Sequence, residues 1–127
     1  MPMNPQYSLF SLPTANWNYA AAASGIVNTT TAVTIKTAAG AGLRNHITSI
    51  QVSAEALGAA TELVIRDGAG GTVLWRDKLG TAGRVGGNQL TFSTPISSSA
   101  NTLLEVATLT ASVTGAVYIN AQGFVGA

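Results

Sequence analysis

His46 is the only histidine of the chain, and there is no cysteine. Acid–base catalysis through an imidazole needs a positioned partner, and a serine nucleophile also needs a carboxylate to orient the ring. The residues beside His46 in sequence, Arg44, Asn45 and Thr48, include no acid. His46 heads a β-branched stretch, where its ring can pair across a sheet, and it reads as structural rather than catalytic. The acids are Glu55, Glu62, Asp67, Asp77 and Glu105. Two facing carboxylates could hydrolyse a glycoside, but simpler uses suggest themselves. Glu62 and Arg66 share one face of a strand, Asp67 precedes Gly68 at a turn where it can accept backbone N–H bonds, and Asp77 lies between Arg76 and Lys78. No acidic run has calcium-loop spacing, and thiolate metal sites and disulfides are excluded. No enzyme activity, catalytic residue, cofactor or metal ligand is expected.

The glycine-rich stretches fail a parallel test. Gly68–Gly71 (GAGG) and Gly83–Gly87 (GRVGG) lack the lysine–serine pair of a phosphate loop and open no helix, so both read as turns. Trp17, Tyr19, Trp75 and Tyr118 could stack on bases or sugars. With 6% aromatic residues and no basic run interleaved with them, packing in the core or at a subunit interface is the better reading.

Charge narrows the field further. Asp, Glu, Lys and Arg make up 9% of the chain, where about 25% is usual. The six cations form no basic run and the net charge is +1, so no nucleic-acid partner is expected. Such a surface has little repulsion to keep copies apart, which suits a subunit of a permanent assembly. No apolar run approaches the about 18 residues of a membrane span, and MPMNPQYSLF lacks the basic and apolar regions of a secretory signal.

The 127 residues suffice for one domain. Three of the four prolines, Pro2, Pro5 and Pro13, fall before Ala15, and proline blocks helix interiors and central strands. Between them stand Tyr7, Leu9, Phe10 and Leu12, apolar residues that must be buried against something. Residues 1–15 are therefore expected to form an extended arm, and residues 16–127 a β domain. There, apolar residues alternate: Trp17 and Tyr19, Val33 and Ile35, Leu63 and Ile65, Val73 and Trp75, Leu90 and Phe92, Leu104 and Val106, Val117 and Ile119. Ile47 falls out of phase with Ile50 and Val52, which requires either two covered faces or a bulge. Ala38–Gly42, Glu55–Ala60, Asp67–Gly71, Gly80–Asn88, Ser97–Asn101 and Ala111–Gly115 read as connections, and Pro95 as the end of the strand before it. About eight short strands at this spacing predict an antiparallel sandwich or barrel.

The segments NWNYAAAASGIVNTTTAV, GLRNHITSIQVS, TELVIRDGAGGTVLW, FSTPISSSANTLLEV and VYINAQGFV follow one another over roughly residues 17–125. In their order and spacing the chain resembles small virion proteins of tailed phages and prophages. The resemblance implies a head decoration, or cement, protein: an all-β, jelly-roll-like antiparallel sandwich with an extended N-terminal arm. It implies a homo-oligomer, a trimer on the capsid exterior, whose partner is the major capsid protein. It carries over no catalytic residue. Candidate capsid- or subunit-interface residues are Tyr7, Leu9, Phe10, Leu12, Trp17 and Tyr19. The alternative is a carbohydrate- or receptor-binding jelly-roll module of a tail or fibre, with Asp67, Trp75 and Arg84 as the nearest candidates.

Overall fold

A computed structural model of the chain describes residues 15–27, 32–110 and 113–127. Among these residues there are nine strands and no helix. The strands are β1 (Ala15–Tyr19), β2 (Ile26–Val27), β3 (Val33–Lys36), β4 (Arg44–Ala54), β5 (Thr61–Asp67), β6 (Thr72–Leu79), β7 (Arg84–Ser97), β8 (Leu104–Thr108) and β9 (Ala116–Gly126).

The pairing is nested. The hairpin β5–β6 lies innermost, then β4 pairs β7, β3 pairs β8, and both β1 and β2 pair β9, all antiparallel. Two further ladders, β4–β9 and β5–β8, gather these pairs into two sheets. One has the order β1-β9-β4-β7 with the short β2 beside β9, and the other β3-β8-β5-β6. A long hairpin rolled up so that alternate pairs fall in opposite sheets is a jelly roll, and the sandwich read from the strand spacing is of that kind.

The core lies between the sheets. Leu63, Ile65, Leu104 and Val106 from one sheet meet Ile50, Val52, Val117 and Ile119 from the other, all buried. Each such side chain contributes roughly 1.5–3 kcal/mol through the area it removes from water. Strand alternation delivers this arrangement, except at one place in β4. Ile47 and Ile50 both point inward although they are three apart, because the register shifts between Ile47 and Ser49 against both neighbours. Thr48 is the extra residue, and the bulge resolves the phase break.

Two expected boundaries are corrected. β7 begins at Arg84, inside the stretch read as a glycine loop, and runs past Pro95 to Ser97. Among the described residues it is an edge strand that pairs only with β4, and its partners jump from Thr91 to Ile96 where β4 steps from Ser49 to Ile47. Proline is tolerated there because no ladder bond is asked of it. The turn Gly68–Gly71 behaves as read: Gly68 and Gly70 have φ of 87° and 65°, and the Gly71 N–H donates to the Gly68 carbonyl.

Candidate functional site

The residues able to do chemistry are dispersed and occupied. His46 stacks on Phe124 with ring centroids 4.6 Å apart, and its Nδ1 lies 2.6 Å from Ser97 Oγ. Register explains both contacts, since His46 is opposite Phe124 on one side and Ser97 on the other. The expected cross-sheet ring pair is therefore present. A serine–histidine contact alone does not make a nucleophile. Nε2, where an orienting carboxylate would sit, is buried with no partner among the described residues.

Each of the five carboxylates has a structural partner. Glu55 accepts from the Ala116 N–H, Asp67 from the Ser99 N–H and hydroxyl, and Asp77 pairs with Arg84 at 2.6 Å. Glu62 pairs with Arg76, across the β5–β6 ladder rather than with Arg66 along the strand. Arg66 instead meets Glu105, with Nε 2.8 Å from Oε2. Asp67 uses its carboxylate on the Ser97–Asn101 connection rather than on its own turn. No group of three or more His, Asp or Glu side chains that could hold a metal converges among the described residues. Asp67 and Arg84 lie toward opposite ends of the sandwich, so the three residues considered for sugar binding are not brought together.

Two surface features remain. The first is a partition of charge. Eight of the eleven charged residues (Lys36, Glu62, Arg66, Asp67, Arg76, Asp77, Lys78 and Glu105) lie on the β3-β8-β5-β6 sheet. The outward positions of the other sheet carry Asn16, Asn18, Ser49, Gln51, Ser53, Gln89, Thr91, Ser97, Asn120 and Gln122, with Arg44 alone at the margin.

The second, among the described residues, is an open sheet edge. Proteins protect edge strands with charge, proline or bulges. Here β6 carries Arg76, Asp77 and Lys78, β3 carries Lys36 and a register shift, and β7 carries Pro95 and its own shift. The edge strand β1 has none of these and keeps five consecutive pairs with β9. Trp17 and Tyr19 turn inward from β1 onto the core, while Asn16 and Asn18 are exposed. Trp17 Nε1 is a buried donor with no acceptor among the described residues. Both aromatic interface candidates thus anchor the open edge, whereas Tyr7, Leu9, Phe10 and Leu12 lie outside the described residues. Sequence reading missed the edge because strand order is invisible to local alternation; the missing charge in ANWNY was the available signal.

The fold class is thus a two-sheet antiparallel jelly roll with, among the described residues, one unblocked edge and one uncharged outer face. Comparison with protein families, with curated proteins and with solved structures finds no match for this chain.

Proposed function

We propose that the chain is a structural virion protein that decorates and stabilises a phage capsid by binding across major capsid protein subunits. The supporting observation is the β1 edge. Among the described residues it offers unpaired backbone groups without charge or proline to repel a partner, and it directly follows the stretch holding Tyr7, Leu9, Phe10 and Leu12. Contact area is the working quantity. Every bound copy adds interactions that exist only in the assembled shell, and so stabilises it by mass action. The homotrimer on the capsid exterior belongs to this proposal, since threefold symmetry lets one heterologous interface repeat and close.

The test is copy number per purified particle. Deleting residues 1–14 is expected to lower occupancy at least about tenfold, which corresponds to about 1.4 kcal/mol. Asn18→Lys, which puts a charge on the open edge, is expected to lower it severalfold. Both variants should keep the circular dichroism of the folded sandwich. Full occupancy by both would defeat the proposal.

A further inference from the structure

We propose that the uncharged outer face of the β1-β9-β4-β7 sheet is a binding site for a neutral oligosaccharide. The inference does not rest on the capsid proposal, and of the residues argued there it shares only Asn18.

Two hollows lie on this face. One, of about 410 Å³, is lined by residues including Asn18, Ser49, Gln51, Gln89, Asn120 and Gln122. The other, of about 350 Å³, adjoins it, since Asn18 and Gln122 line both. Register gives the layout: Asn18, Gln122, Ser49 and Thr91 form one row across the four strands, and Asn120, Gln51 and Gln89 the next. Neighbouring strands stand about 4.8 Å apart, so carboxamides recur on the scale of successive sugar rings of a pyranose chain.

These amides are largely uncommitted. Asn18, Gln51 and Gln89 are exposed, and none of the three has a side-chain hydrogen bond among the described residues. Asn120 Oδ1 accepts from the Ala21 N–H, and Gln122 Oε1 accepts from Ser49 Oγ. Both carbonyls are thereby pinned, which leaves both NH₂ groups as oriented donors. A carboxamide presents a donor and an acceptor side by side, as a pair of sugar hydroxyls requires. Along β9 the outward side chains run Tyr118, Asn120, Gln122, Phe124, so an aromatic ring stands beyond the amides at each end. The Tyr118 ring can take the apolar C–H face of a sugar, whereas the Phe124 ring is already stacked on His46.

The absence of charge selects the ligand class. An ionic ligand bound here would lose water and gain no counter-charge. A protein partner is disfavoured for a different reason. Stable protein contacts centre on buried apolar or aromatic anchors, yet Leu43, Leu90 and Leu109, the exposed large aliphatic side chains among the described residues, line neither hollow.

The experiment is isothermal titration of the full chain with maltohexaose, cellohexaose and mannohexaose, with oligogalacturonate as the acidic counterpart. At least one neutral hexaose is expected to bind, with an affinity unchanged between low and high salt because no ion pair is formed. Gln51→Ala combined with Gln89→Ala should weaken it about tenfold, from two lost hydrogen bonds. Both positions are exposed, so the fold should survive; Tyr118→Ala, read in parallel, should weaken binding through lost stacking. Three results would each overturn the assignment: no binding of any neutral hexaose, tighter binding of oligogalacturonate, or binding that both variants leave intact. Loss of particle occupancy by the glutamine variants without any glycan binding would reassign the face to a protein contact. Occupancy of the wild-type chain reports separately on the capsid proposal.

Discussion

Gly123→Ala is expected to destabilise the protein by about 3 kcal/mol or more, a loss far beyond that of ordinary surface changes. Gly123 faces Ile47 across the β4–β9 ladder, immediately before the bulge at Thr48. A Cβ built on it would stand 1.9 Å from the His46 carbonyl oxygen and 2.7 Å from Trp17 Cζ2. The first neighbour is backbone and cannot rotate away. Relief therefore requires opening the ladder that joins the two central strands of the sheet. The second neighbour is the indole of the edge strand, which covers the surface that glycine leaves bare. Thermal unfolding would show a midpoint lowered by about 10 °C or more for a domain of this size. Gly80→Ala is the control, because a Cβ there meets nothing within 4 Å and its φ is not positive. That variant should be neutral or slightly stabilising through the unfolded chain. Equal midpoints for the two variants would show that the close approach at Gly123 carries no energy.

Glu105→Ala is expected to cost about 3 kcal/mol. Glu105 is 5% exposed although it points away from the main core. It sits opposite Thr34 on one side and Arg66 on the other. Its Oε2 contacts Arg66 Nε and also accepts the Gly70 N–H at 2.9 Å. The arginine contact is electrostatic, since the Nε–H does not point along it. Removing the carboxylate strands a largely buried guanidinium and leaves a turn donor unpaired. Glu105→Gln retains an acceptor for Gly70 and should lose less. Arg66→Met combined with Glu105→Leu should recover more than half of the alanine loss, because it removes both charges together and places apolar groups beside the buried Val64 and Ala107. Chemical denaturation of the wild type, Arg66→Met, Glu105→Leu and the double variant forms a cycle that measures the coupling, with Glu105→Ala and Glu105→Gln read beside it. A double variant no more stable than Glu105→Ala would place the energy in the Gly70 bond instead.

Most of the strands were legible because alternation is a local property. Leu63 and Ile65, or Val117 and Ile119, declare a half-buried strand by their own spacing, and Asp67–Gly71 declares the turn of a hairpin because only certain residues adopt its backbone. Even the bulge announced itself, through the odd interval between Ile47 and Ile50. Two local readings failed because neighbours far along the chain overrode them. Gly86 and Gly87 read as a loop but join β7, and Pro95 read as a stop but is carried through on an unpaired edge.

The amino-acid sequence alone determined an all-β chain poor in charge and without cysteine, and those properties set what chemistry it could support. Its folding into three dimensions settled matters of partnership. It put Glu62 with Arg76, Arg66 with Glu105 and His46 between Phe124 and Ser97, separated the charges from the amides, and left β1 at an open edge. Periodicity says which way a side chain points but not which strand lies beside it. Pairing order is set by the packing of both sheets at once, over separations that no local pattern encodes.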